Sequence, residues 1–256
     1  MSDEKFTFTV DGIEIEASPG QSIIEACDAA GVYIPRLCYH PELEPAGHCR
    51  VCTCKIDGRR SSACTMPAAH GMVVESNTPE LNADRRTLIE MLFVEGNHFC
   101  PYCEKSGDCE LQALAYRLGL TAPTLPYLWP ERELDATHPD IFVDRNRCVL
   151  CSRCIRASRM EDGKSVFGLE GRGIHMRLNI DAKTLDETSI AAADRAAHVC
   201  PVGCIVIKRT GYRTPYGSRR FDQEPIGSDI ESHHGHSTAA GHGTGPAQHR
   251  ATKERE

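Results

Sequence analysis

Apolar and polar residues alternate over 6–10 (FTFTV) and again over 13–17 (IEIEA), with Asp11-Gly12 between them. Such alternation around a two-residue turn reads as a β-hairpin. Ser22 then precedes IIEACDAAG, a short helix for which Gly31 is the stop. Thr78-Pro79 has the form of a helix start, an N-cap followed by proline at the first helical position. Leu81, Leu88, Ile89, Leu92 and Phe93 mark one face of that helix, and Gly96 ends it. Leu111, Leu114 and Leu118 predict another helix over about 108–119, with the run HFCPYCEKSGDC between the two. Four prolines make 121–140 a connector. Beyond it Ile141-Phe142-Val143 reads as a strand, followed by CVLCSRC, a strand pair at 165–169 and 174–180, an alanine-rich helix over about 188–198, VCPVGC and the strand-like IVIK. From about 222 the residues are small and polar with no apolar period. That is the pattern of a disordered tail, and it holds five of the 12 histidines.

These elements predict an α+β chain. Residues 1–77 form an N-terminal module of hairpin, helix and cysteine-rich loop. Residues 78–120 form a small helical module, 121–140 a connector, 141–221 a strand-helix-strand-strand-helix-strand module, and 222–256 the tail. A net charge of −7 and a pI near 6.0 argue against a general nucleic-acid binder. No apolar run approaches the length of a membrane span. The start MSDEKFTFTV lacks the apolar region of a secretory signal, so the expected location is the cytoplasm.

Cysteine changes the picture, with 14 in 256 residues. In a reducing compartment, clustered cysteines point to metal or redox chemistry rather than disulfides. The first set is Cys38, Cys49, Cys52 and Cys64. Four thiolates suit a [2Fe–2S] cluster, two on each iron. A structural zinc site is the alternative, although zinc ribbons use two C-x2-C pairs and this stretch has one. The second set is His98, Cys100, Cys103 and Cys109. Three thiolates suit three corners of a [4Fe–4S] cubane, and His98 is the nearest fourth ligand; a zinc site of the same four residues is the alternative.

The third set is Cys148, Cys151 and Cys154 with Cys200-Pro201 downstream, the bacterial ferredoxin spacing for a [4Fe–4S] cluster. A second cluster of that scheme is erased. Ser158 stands where its cysteine belongs, and counting back from Cys200 by 4, 7 and 10 gives Ala196, Ala193 and Ile190. Cys27, Cys54 and Cys204 remain as packing thiols. The full complement is about ten irons. Lone histidines such as His40, His48 and His70 read as ordinary surface or loop residues. No dinucleotide fingerprint, Walker loop, H-E-x-x-H helix or catalytic nucleophile with a base is present. Metals saturated by protein ligands leave no open position for a substrate, so the expected role is conduction of electrons between partners.

With the three sets in this order, the segments YIPRLCYHPELEPAGHCRVCTCKIDG, EGNHFCPYCEKSGDCELQA, DRNRCVLCSRC and CPVGCIVIKRTGYRTPYGSRRF carry a resemblance over about 1–222. The chain resembles the N-terminal iron–sulfur region of the large peripheral subunit of NADH–quinone oxidoreductase, and the same region of iron-only hydrogenases and NAD-dependent formate dehydrogenases. It is most similar to the family of small diaphorase (gamma) subunits of soluble NAD-reducing [NiFe] hydrogenases.

The resemblance implies a β-grasp [2Fe–2S] module, a histidine-ligated [4Fe–4S] module and a ferredoxin-like [4Fe–4S] module, with the three sets above as ligands. It implies a partner subunit holding FMN and NAD, a hydrogenase small subunit and, through it, the NiFe large subunit. In NADH–quinone oxidoreductase and iron-only hydrogenases, three residues separate the histidine from the first cysteine; here there is only Phe99. A basic stretch, Lys208, Arg209, Arg213, Arg219 and Arg220, offers a docking edge for an acidic partner. The alternatives are a wire serving formate dehydrogenase or another NAD-linked complex and, of a different class, a structural zinc scaffold.

Overall fold

A computed structural model describes residues 5–232. Strands β1 (Phe6–Val10) and β2 (Ile13–Ala17) pair antiparallel as the alternation requires. Asp11 and Gly12 at their turn both have positive φ, 49° and 83°, as a tight hairpin of the type I′ class demands. The Asp11 carboxylate also accepts the Ser76 and Asn77 N–H groups, which ties the turn to the far end of the module. Helix α1 (Ile23–Ala29) opens on a capping box between Ser22 and Glu25. Strands β3 (Thr53–Ile56), β4 (Arg59–Ser62) and β5 (Val73–Glu75) complete a five-stranded sheet in the order β2-β1-β5-β3-β4, with β1 and β5 parallel. Phe8, Val10 and Ile15 from the sheet and Ile23, Ile24 and Cys27 from α1 form its core.

Helix α2 (Pro79–Val94) starts at the Thr78 cap, whose hydroxyl accepts the Leu81 N–H. Helix α3 (Glu110–Arg117) follows directly on Cys109. The connector is more structured than its prolines imply. Leu134–Asp135 forms β6, which pairs with β7 (Ile141–Asp144), and β7 pairs in turn with β10 (Ile205–Ile207). Between β7 and β10 lie α4 (Arg153–Met160), the hairpin of β8 (Phe167–Glu170) and β9 (Arg177–Ile180), and α5 (Arg195–His198).

Two expectations are corrected. The alanine-rich helix over 188–198 is only the four residues of α5. The Asp194 carboxylate accepts the Ala191 N–H and pairs with Lys164, so the chain ahead of it turns instead of coiling. The first residues of the expected tail are ordered as well. Ile226 is buried, and Arg117 on α3 pairs with Glu231 of α6 (Ser228–Ser232). The histidine-rich remainder lies outside the described residues. A second core joins α2, α3 and the C-terminal module to Leu37, Leu43 and Val51 of the N-terminal cysteine loop, so that loop belongs to both halves of the molecule. Among the described residues no helix is long and apolar enough to cross a membrane.

Candidate metal centres

In the first set Cys38, Cys52 and Cys64 are buried and Cys49 half-buried. The Cys38 N–H donates to Cys49 Sγ at 3.3 Å and the Cys49 N–H to Cys38 Sγ at 3.5 Å. Arg36 braces the approach to Cys38. Its guanidinium is buried, forks onto Asp28, donates to the Ile34 carbonyl at 2.8 Å and lies over the Tyr33 and Tyr39 rings. Arg50, between Cys49 and Cys52, sits at φ 59°. That left-handed conformation costs an L-residue about 1–2 kcal/mol and turns the loop so that two thiols face inward. Hydrogen bonds from Cys49 and Cys64 hold the Cys38 thiol far below its usual range, while the Cys49 and Cys64 thiols are driven up. Four sulfurs this close cannot all ionise against one another, so four thiolates here require a cationic core among them. Cys27 on α1 and Cys54 on β3 pack into the N-terminal core, where the Cys54 thiol donates to the Cys52 carbonyl at 3.6 Å.

In the second set His98, Cys100, Cys103 and Cys109 line one cavity with Phe93, Gln112, Arg147 and Gly203. Burial holds the His98 imidazole down to about 4, so the ring is neutral at ordinary pH, and it faces the Leu92 carbonyl. Its buried Nε2 has no hydrogen-bond partner. A buried, neutral and unpartnered imidazole nitrogen beside three thiols has the donor chemistry of a metal ligand. Burial pushes Cys109 up to about 12 and raises Cys100 and Cys103 in the same direction.

Two glycines make room for this cavity. A Cβ on Gly203 would lie 2.6 Å from Cys103 Sγ, and one on Gly96 would lie 2.6 Å from His98 Nε2 and 2.9 Å from the Asn146 carbonyl oxygen. Gly96→Ala is therefore expected to cost about 1–3 kcal/mol, read as a lower denaturant midpoint, with the imidazole displaced.

In the third set the loop from Cys148 to Cys154 places Leu150 at φ 52° and Ser152 at φ 58°. Left-handed residues alternating along a loop aim successive backbone N–H groups at one anionic centre. Cys148, Cys151, Cys154 and Cys200 line one cavity, as the spacing predicts, but so does Cys204, which is therefore not a mere packing thiol. Hydrogen bonding with Cys204 lowers both Cys148 and Cys200, the latter to about 6, whereas burial pushes Cys151 up to about 12. Ser158, Ala196 and Ile190 are buried packing residues, and the Ser158 hydroxyl accepts the Val166 N–H at 3.2 Å.

The three sets are not arranged in chain order. Arg156 donates to the Cys38 carbonyl at 2.6 Å and the Cys151 carbonyl at 3.4 Å, and Ser152 Oγ meets His48 Nδ1 at 2.9 Å. On the other side Arg147, next to Cys148, reaches Cys103 Sγ at 3.6 Å, and the Glu110 N–H donates to the Pro201 carbonyl at 2.9 Å. Arg153 spans both sides through Tyr39 and a bidentate pair with Glu110. The third set thus lies between the first and the second. Among the described residues no three His, Cys, Asp or Glu side chains are arranged to hold a single metal ion. Of the basic stretch, Lys208, Arg209 and Arg219 are engaged within the chain.

Three sulfur-lined centres in one body define an iron–sulfur protein that carries electrons. Residues 3–79 match the family described as 2Fe-2S iron-sulfur cluster binding domain, 85–123 the NADH-ubiquinone oxidoreductase-G iron-sulfur binding region, and 141–207 the 4Fe-4S single cluster domain. The gamma subunit of the NAD-reducing hydrogenase HoxS of Cupriavidus necator is 38% identical over 219 residues, which cover 85% of this chain and 94% of that subunit. A crystal structure of NAD+-reducing [NiFe]-hydrogenase in the H2-reduced state contains a chain 50% identical, with a TM-score of 0.84 over 86% of this chain and 94% of that one. The mitochondrial 78 kDa subunit of the NADH-ubiquinone oxidoreductase of Candida albicans is 33% identical over 87% of this chain, and the match spans 32% of that longer protein. The chain belongs to the family of gamma subunits of NAD-reducing hydrogenase, and it is an electron-transfer subunit.

Proposed function

We propose that the chain carries electrons between a flavin- and NAD-binding diaphorase subunit and the small subunit of a [NiFe] hydrogenase, within an assembly that couples hydrogen oxidation to NAD+ reduction. Cys38, Cys49, Cys52 and Cys64 hold a [2Fe–2S] cluster. His98, Cys100, Cys103 and Cys109 hold one [4Fe–4S] cluster, and Cys148, Cys151, Cys154 and Cys200 hold another. When bound, these clusters supply one-electron redox chemistry at potentials set by ligand charge, hydrogen bonding and burial.

The observation that carries this reading is the packing of the three ligand sets into one body, joined by Arg147, Arg153 and Arg156. The residues fit the clusters on independent grounds: an unpartnered buried imidazole nitrogen beside three thiols, and a glycine where a Cβ would strike a ligand sulfur. His98 is fixed by burial and by Leu92, and Phe99 alone between it and Cys100 is enough to bring both to the same cavity. Exposed Tyr102, Tyr212 and Tyr216 cluster around the second set, with the Tyr212 hydroxyl donating to the Tyr102 carbonyl. Exposed aromatics of this kind suit a protein interface, here that of the hydrogenase small subunit. None of the 14 cysteines is paired in a disulfide, which fits the cytoplasm.

The test is anaerobic purification of the assembly with identification of its other chains. About ten irons with matching sulfide in this chain, reduced by NADH only when the flavin subunit is present, is the expected result. Zinc without sulfide defeats the reading. His98→Cys is expected to lower the midpoint potential of the second centre, because a thiolate replaces a neutral imidazole. A redox titration followed by electron paramagnetic resonance reads this, and an unmoved midpoint removes His98 from the ligand set.

A further inference from the structure

The assignment above leaves three thiols without a task, and one of them lines a ligand cavity. Cys204 is 2% exposed and lines the same cavity as Cys148, Cys151, Cys154 and Cys200. Its side chain is within hydrogen-bonding reach of both Cys148 and Cys200. The other two surplus cysteines differ from it. Cys27 packs beneath the N-terminal sheet, and Cys54 faces the Cys52 carbonyl and Arg85. The backbone of Cys204 is also fixed: its carbonyl accepts the Asp144 N–H at 2.7 Å, and the next residue, Ile205, pairs with Val143 across the β7–β10 ladder. Cys200 and Cys204 flank the short turn through Gly203 and present two sulfurs to the same part of one cavity.

We infer that Cys204 is a second thiol able to complete the C-terminal ligand set, so that either Cys200 or Cys204 can hold the fourth iron. The inference rests on the cluster assignment for this cavity. With a cluster bound, exchange would break one iron–sulfur bond and form one, and the proton leaving the Cys204 thiol would pass to the released Cys200 sulfur. No electron is moved and no outside reactant is needed. The cavity would keep four thiolate ligands even when one terminal bond is lost.

The experiment uses the whole assembly, prepared without air, with iron counting and electron paramagnetic resonance on four forms of this chain: the native form, Cys200→Ala, Cys204→Ala, and the double variant. The first two centres serve as internal references. Both single variants are expected to keep the native iron count and a signal from the C-terminal centre, that of Cys200→Ala with an altered line shape. The double variant is expected to lose about four irons and that signal. Cys200→Ala that loses the signal, or fails to assemble while Cys204→Ala assembles normally, overturns the inference. So does the reverse pattern, in which only Cys204 proves necessary. A native chain with no C-terminal signal at all defeats the cluster assignment itself, an outcome distinct from either.

Discussion

On the ligand assignment proposed above, replacing Cys151 with alanine is expected to remove the C-terminal centre's paramagnetic signal and about four irons, and to cut hydrogen-driven NAD+ reduction sharply. Cys151 sits in the middle of the loop between left-handed Leu150 and Ser152, buried and facing Cys148, Cys154 and Cys200. Cys204 offers no relief here, because it lies beside Cys148 and Cys200 at the other end of the set. The lost side chain is small, so the cavity it leaves is of methyl size and costs about 1 kcal/mol. The chain should therefore still fold and assemble. NADH-dependent reduction of a soluble dye, which in the proposed assembly needs only the flavin subunit, should survive. Equal loss of dye reduction and of hydrogen-driven activity would show that assembly had failed rather than conduction.

Arg85→Met is expected to cost on the order of 3 kcal/mol and to loosen the first centre as well. Arg85 is 1% exposed on α2. Its guanidinium donates to the carbonyls of Val51 at 3.0 Å, Ser76 at 2.6 Å and Thr53 at 2.9 Å, and to Asn82 Oδ1 at 3.0 Å. A thioether fills the volume but takes their donor from the buried carbonyls of Val51 and Ser76 and the half-buried one of Thr53. Removing a desolvated charge offsets part of that cost. Two of those carbonyls belong to the residues on either side of Cys52, so the ligand loop loses its brace together with the helix. Denaturant unfolding measures the first effect, and the [2Fe–2S] signal after brief exposure to air the second. A variant as stable as the native chain, with an unchanged signal, would show that solvent or neighbouring groups satisfy those carbonyls without Arg85.

Much of this was legible in the residues. The period-two alternation on both sides of Asp11-Gly12 is unambiguous because one face of that hairpin is core and the other is not. Thr78-Pro79 announces α2 because cap and proline act locally. The bacterial ferredoxin spacing of Cys148, Cys151 and Cys154 is readable because a single loop must present all three. What stayed hidden depends on contacts distant in sequence. Cys204 is separated from Cys200 by a turn whose path only the β7–β10 pairing fixes. Arg85 lies on a helix whose polar positions read as solvent-facing, yet it is pulled inward by carbonyls from two other segments. The order of Ile226 and Glu231 rests on Arg117, more than a hundred residues earlier. The alanine-rich run ahead of α5 has good helix propensity, which the Asp194 carboxylate overrides.

Because Cys148–Cys154 nestles between the residues around Cys38 and those around Cys103, the ligand loop that is synthesised after the other two is the keystone of the structure. A shortened chain ending near the connector would keep the first two sets of residues but lose Arg147 and Gly203 from the lining of the second cavity, with nothing left to bridge the two sets. Such a fragment would be a pair of terminals with the cable between them missing.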